Sequence, residues 1–219
     1  MTGHHRQEKL SDDQGYTLWH YWAHSPRPHQ TFDELLAAFG KQECDRLSVG
    51  QEHPWHFLLL SAQTPAMEAW SFSMGIPTEP TRSGENFSHC AAWSGQTGIL
   101  EVFGNQQLDS INQPDAQGLT PLMIAIHRGD ESFVHSFLMA GADPMVTDSS
   151  GRTALHHAAQ YGDAALVALL EDVGGDAQAR DLQGLSAANV LKTRRQVPPR
   201  ELHTLREHWH KRKSMCLPF

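Results

Sequence analysis

Long apolar runs are missing from this chain. A stretch such as HFLLLSA at 56–62 falls far short of the ~20 residues a membrane-spanning helix needs. Cysteine is scarce: Cys44, Cys90 and Cys216 are odd in number and widely separated. That argues against a disulfide framework, favours a reducing cytoplasmic setting, and lacks the close pairs of a structural zinc site. The opening MTGHHRQEKLSDDQG is polar, without the apolar core of a secretory signal, so residues 1–11 are expected to be a flexible leader. Neither a G-x-S-x-G elbow nor a G-x-x-x-x-G-K-[ST] phosphate loop is present. Cys44 and Cys90 carry no nucleophile signature, and the acid pairs Asp12-Asp13, Asp33-Glu34 and Glu171-Asp172 suit helix starts or solvated surface. The expectation is a chain that is not an enzyme and needs no cofactor.

Positive charge is in short supply over most of the length. Residues 1–191 hold nine Lys/Arg against 23 Asp/Glu, a net of −14, whereas from Lys192 onward eight Lys/Arg face two Glu, a net of +6. An acidic body lacks the clustered positive footprint that phosphate backbones require, which argues against nucleic acid. It suits a basic protein partner, although surplus carboxylates also serve solubility alone.

Repetition is what the sequence has in quantity. DAQGLTPLMIAIHRGD (115–130) and DSSGRTALHHAAQYGD (148–163) share Asp, Gly, Thr, Leu, Ala, Gly and Asp at a spacing of 33 residues. The continuations FVHSFLMAGADPMVT (133–147) and LVALLEDVGGDAQAR (166–180) also align, and DLQGLSAANVL (181–191) begins a third copy. Each element has a physical reason. Asp115 and Gly118, Asp148 and Gly151, and Asp181 and Gly184 form turns, because Gly accepts positive φ and Asp bonds its own backbone. Thr120 and Thr153 can cap a first helix, and Pro121 suits its first turn. Phe133, Val134, Phe137 and Leu138 lie at the spacing of a second helix, which Gly141 closes.

This pattern resembles the ankyrin repeat, whose Thr-Pro-Leu-His opening and Gly-Ala-Asp ending appear here as TPLM (120–123), TALH (153–156) and GAD (141–143). The resemblance implies an all-α repeat solenoid: an ankyrin-type stack of helix-turn-helix units with short β-turn or hairpin tips. About five to six repeats are expected, degenerate at both ends. The repeat domain is expected over 12–213, as units 12–47, 48–80, 81–114, 115–147, 148–180 and a C-terminal cap at 181–213, leaving 214–219 as a tail. The earlier copies are weaker, with Asp12, Gly15, Thr17 and His20 in turn-and-cap positions and TFDELLAAFG (31–40) as a second helix. The cap resumes as a helix after Pro198-Pro199.

Four of the 15 histidines then share one role. His20, His56, His89 and His156 occupy the fourth position of the opening motif, which the resemblance makes structural. Neighbouring units stand roughly 10 Å apart, so these rings cannot converge at the ~2.1 Å that zinc demands, and no metal site is expected. His157, next to His156, is expected on another face, exposed to solvent. His203, His208 and His210 lack an H-E-x-x-H arrangement and read as a solvated helix, with a metal site there as the minor alternative.

The resemblance also implies a binding surface formed by turn tips and the exposed ends of first helices. Its positions here are Gln117, Leu119, His127 and Arg128; Ser149, Ser150, Arg152, Gln160 and Tyr161; and Leu182, Gln183, Leu185 and Arg194, with Tyr16, Glu85 and Trp93 from the weaker copies. The expected function is non-catalytic protein binding through that concave face, as an intracellular adaptor or a bacterial effector in the host-cell cytosol. A bacterial immunity protein neutralising a toxin is the alternative. The oligomeric expectation is a monomer or a heterocomplex. Cys216-Leu217-Pro218-Phe219 has the length of a prenylation box behind Lys211-Arg212-Lys213, although Pro218 departs from the aliphatic residue wanted there, and membrane association is expected only if Cys216 is lipidated.

Overall fold

The computed structural model describes residues 12–17, 19–20, 23, 34, 36–37, 48, 53–61, 79–95, 110–161 and 164–194, apart from the side chains of 60, 61, 193 and 194. The expectations for 1–11, for the cap beyond 194 and for Cys216 lie outside these residues. So does most of the helix expected at 31–40, of which Glu34, Leu36 and Ala37 are helical. The chain divides into two units, residues 1–82 and 83–219.

In the second unit the aspartate turns recur as expected. The Asp115 amide donates to the Leu119 carbonyl and the Gly118 amide to the Asp115 carbonyl, both at 2.9 Å. Asp148 with Arg152 and Gly151, and Asp181 with Leu185 and Gly184, repeat both bonds at 2.9 Å. One Oδ1 in each turn also takes two backbone amides: Gln117 and Leu119 on Asp115, Ser150 and Arg152 on Asp148, Gln183 and Leu185 on Asp181, at 2.8–2.9 Å. The tips are also tied along the stack. The Ala116 amide donates to the Ser83 carbonyl at 2.9 Å, Leu182 to Ser150 at 3.0 Å, and Ser149 Oγ to Gln117 at 2.8 Å. An isolated antiparallel bridge, Arg180 to Ser186, gives that tip hairpin character.

Helices follow from these turns. They are α1 (Pro54–Ser61), α2 (Phe87–Ser94), α3 (Pro121–Arg128), α4 (Glu131–Met139), α5 (Ala154–Tyr161), α6 (Ala164–Asp172) and α7 (Ala187–Arg194). Thr120 caps α3 by accepting the Met123 amide, Pro121 fills its first turn, and Asp130 caps α4 through the Phe133 amide. At the other end of α4, Gly141 and Ala142 close the helix with amide bonds to Leu138 at 3.1 Å and Phe137 at 3.0 Å. Gly174 and Gly175 close α6 one period later, bonding Glu171 at 3.1 Å and Leu170 at 2.8 Å.

The first helices α2, α3, α5 and α7 are the sandwiched layer: α3 packs on α2 and α5, and α5 packs on α7. Leu122 to Ile126 on α3 are accordingly buried on all sides. Small residues (Ala91, Ala92, Ala125, Ala158, Ala159) let the helices approach, and α4 contributes Phe133, Val134 and Phe137 beneath them.

In the first unit, the Asp12 amide donates to Tyr16 and Gly15 to Asp12, both at 3.0 Å, while Asp12 Oδ1 accepts the Gln14 and Tyr16 amides at 2.9 Å. This is the same turn as in the second unit. Trp19, Trp55, Leu58 and Leu59 are buried there.

Two glycines separate the causes of their own presence. Gly118 sits at φ +82, and a Cβ there would meet the Ser149 backbone nitrogen, whereas Gly129 sits at φ +72 with open space around it. Gly118→Ala is therefore expected to cost about 2–4 kcal/mol, combining left-handed strain with a backbone clash, and Gly129→Ala only about 1 kcal/mol. Urea unfolding midpoints of the two variants measure the difference; equal losses contradict it.

Candidate partner-binding surface

The histidines of the opening motif are struts. His20 Nδ1 accepts the Thr17 amide at 3.0 Å, and His156 Nδ1 accepts the Thr153 amide at 3.2 Å. His56 Nδ1 accepts the His53 amide at 2.9 Å, and His89 Nδ1 accepts the Asn86 amide at 3.2 Å. His53 and Asn86 thus stand where the motif has threonine. On the far side of the ring, Nε2 of His89 lies 3.0 Å from the Leu119 carbonyl, and Nε2 of His156 lies 3.1 Å from that of Leu185. Both bonds reach the next repeat.

The unit 115–147 has Met123 at that position, so its strut to the following repeat is absent. The same interface carries a different polar link. His127 Nε2 lies 2.8 Å from His157 Nδ1, and His157 Nε2 lies 3.0 Å from Asp148 Oδ2. Asp148 Oδ2 also receives Arg152 Nε at 3.1 Å, and Arg152 reaches Gln160 at 3.1 Å. The expectation that His157 faces solvent is overturned: it is 1% exposed. Its helix is flanked on both sides, so the residue after the strut faces a neighbour, and the equivalent residues are Cys90, Ile124 and Val190.

Electrostatics follow the burial. Desolvation lowers the His157 pKa despite its bond to Asp148. Desolvation, then the neighbouring His157 and Arg152, push His127 down to about 3. Burial works against the Asp148 charge, but the His157 hydrogen bond and the Arg152 and Ser150 amides outweigh it and hold the carboxyl well below its usual range. His89 is lowered by burial, and His53 by burial and His56 to about 3.

The surface residues expected from sequence divide into three groups. Gln117, Arg128, Ser149, Ser150, Leu182, Gln183 and Leu185 are exposed, Leu182 to 79%. Tyr16, Glu85, Trp93, His127, Arg152, Gln160 and Tyr161 are half-buried. Leu119 is buried at 7%, so its side chain lies under the surface while its carbonyl meets His89. The Arg194 side chain lies outside the described residues. Tyr16 belongs to the first unit, where it packs edge-on against His20 and Phe57 at 5.4 and 5.7 Å.

Across three consecutive first helices the structure brings the rest together. Arg128 at the end of α3 donates Nη1 to the Trp93 carbonyl on α2 at 2.6 Å. His127 beside it packs nearly perpendicular to Tyr161 of α5, with ring centroids 4.7 Å apart. Sequence reasoning missed the buried partners His157 and Asp148, whose second carboxylate oxygen binds the ring while the first builds the turn. The available signal was a histidine where the register elsewhere places Cys, Ile and Val.

The family model of ankyrin repeats matches residues 88–181, as three copies. These residues are ankyrin repeats. Among curated proteins, the chain is 34% identical over 122 residues to Inversin of Gallus gallus, covering 55% of this chain and 11% of that protein. It is 38% identical over 90 residues to NF-kappa-B inhibitor delta of Mus musculus, 40% of this chain and 26% of the relative. Zygote-specific protein 3 of Chlamydomonas reinhardtii matches at 32% over 118 residues, covering 54% and 30%. The chain spans about a tenth of Inversin, 11% at most. Ankyrin repeats are protein–protein interaction modules, in general without catalysis. Among the described residues no helix is long and apolar enough to cross a membrane.

The four lowered histidines set an acid limit. Unfolded, each imidazole takes up a proton below about pH 6.5, while in the fold it stays neutral to lower pH. Stability is therefore full above pH 6.5 and falls as pH drops from there, by up to ~1.4 kcal/mol per pH unit per histidine. Asp148 contributes a later loss, below the ordinary aspartate range. The melting temperature is expected to be lower at pH 5.0 than at pH 7.5, with the difference reduced in His127→Gln. A flat profile contradicts the buried neutral state.

Proposed function

We propose that this chain is a non-catalytic binding module that grips another protein through the face formed by its turn tips and the ends of its first helices. The observation that carries this is the continuous row Trp93, Arg128, His127 and Tyr161, linked across three repeats by the Arg128–Trp93 hydrogen bond and the His127–Tyr161 ring contact. Trp, Arg and Tyr are the residue types that dominate interface energetics, and here Arg128 is tied to the Trp93 carbonyl before any partner arrives. The polar tips at Gln117, Ser149, Ser150 and Gln183 form a rim beside them.

The net of −14 over residues 1–191 favours a basic partner and fast, salt-sensitive association. Two biological settings fit such a module: an adaptor or effector inside a cell, and an inhibitor that covers a basic toxin. The acidic balance gives the second its support.

Affinity capture from the native source identifies the partner, and titration calorimetry then gives Kd for wild type, for the Arg128/Arg152/Tyr161 triple alanine, and for Met139→Gln on the exposed end of α4. The triple variant is expected to bind at least ~30-fold more weakly with its circular dichroism unchanged, and Met139→Gln to bind as wild type. Equal affinity of the triple variant, or loss confined to Met139→Gln, removes the assigned face.

A further inference from the structure

The link between α3 and α5 assigns protons as well as positions. Asp148 Oδ2 can only accept, so His157 carries its proton on Nε2. His157 Nδ1 is then an acceptor, and His127 must donate to it from Nε2. The lone pair of His127 is thereby placed on Nδ1. That atom is buried and, among the described residues, has no hydrogen-bond partner. Two rings pack against this imidazole, with centroids 4.8 Å away for His157 and 4.7 Å for Tyr161, the latter inclined by 73°. A buried acceptor without a donor is destabilising, so its retention at the edge of a surface row points to something that fills it.

Charge decides what kind of donor fits. From α5 and its turn the groups facing the pair are Asp148, Arg152, His156 and Tyr161, whereas Arg128, beside His127 on α3, turns its guanidinium to the Trp93 carbonyl. Asp148 is matched by Arg152 at 3.1 Å and bonded by His157 at 3.0 Å. A lysine or arginine entering here meets the like charge of Arg152 and an Asp148 carboxylate already bonded by Arg152 and His157. A neutral N–H or O–H meets no such repulsion.

We propose that His127 Nδ1 is a preset hydrogen-bond acceptor for an amide or hydroxyl donor of the partner protein, with the Tyr161 ring as the movable cover above it. The proposal rests on the binding face described above, but the proton assignment and the cover belong to the free chain and are tested without a partner.

The probe is diethyl pyrocarbonate, which acylates unprotonated imidazole nitrogen: an N–C bond forms, and the displaced ethyl carbonate leaves as carbon dioxide and ethanol. Peptide mass spectrometry on the full chain follows each histidine. His127 is expected to react slowly in wild type and in Tyr161→Phe, and at least ten-fold faster in Tyr161→Ala, while His156 and His157 stay slow. Long-range nitrogen NMR is expected to show the His127 proton on Nε2, with this fixed tautomer lost in His157→Val, which supplies the side chain found at position 190. In Tyr161→Ala, N-methylacetamide should shift the His127 Nδ1 resonance and methylammonium should not. A proton on Nδ1, no rate increase in a folded Tyr161→Ala, or a response to methylammonium alone overturns the proposal. If these measurements hold while the triple alanine still binds the partner normally, only the face assignment falls.

Discussion

One carboxylate oxygen taking two backbone amides at once is the constraint on which most of the described turns depend. At Asp12, Asp115, Asp148 and Asp181 that oxygen holds the amides two and four residues ahead, and the glycine three residues on completes the turn with positive φ. The turn fixes where the threonine or serine that follows can cap a helix, and so where each first helix starts. Because the tips also bond to one another, an error in one turn would displace the register of its neighbour. The aspartates are thus structural acids, and burial of Asp115, which raises its pKa against the pull of three amides, shows the cost of placing a charge there.

The interface between 115–147 and 148–180 departs from its neighbours in a coordinated way. On either side a histidine ring carries the load, His89 to the Leu119 carbonyl and His156 to the Leu185 carbonyl. Between them Met123 fills the strut position with an apolar side chain, and a His127–His157–Asp148 chain supplies the polar link from other positions. Aliphatic residues at 157 would satisfy the core with no desolvation penalty, as Ile124 does one repeat earlier. What the histidine adds is position: it holds the Asp148 carboxylate and the His127 ring in one arrangement at the foot of the surface row. Stability and surface geometry are served there by different atoms.

Much of the stack was legible because its signals are local. Asp115, Gly118, Thr120 and Pro121 specify a turn and a helix start within seven residues, and the identical spacing at 148–154 doubles the signal. His156 was readable as a strut through the ankyrin resemblance, and its partner Thr153 stands three residues away. Substitution hid the same device elsewhere: Asn86 and His53 do threonine's work with different side chains. His157 was illegible for another reason. Its burial depends on both flanking repeats, and its partners His127 and Asp148 stand 30 and nine residues away, beyond any helical or strand period. Leu119 was misplaced by the same logic, since a turn position reads as exposed until the neighbouring repeat, whose His89 bonds the Leu119 carbonyl, is in place.

The surface row and the buried link cannot be treated as independent. Tyr161 meets His127, His127 meets His157, and His157 meets the carboxylate whose other oxygen sets the turn at 148–152. Arg152, projecting from that turn, closes the loop by bonding both Asp148 and Gln160. A partner that moves the Tyr161 ring aside therefore meets a His127 imidazole held by a chain of bonded groups anchored in backbone amides, not a loose side chain. Rigid anchors lose little conformational entropy when they are buried at an interface, which is the physical reason to build a gripping face on such a foundation.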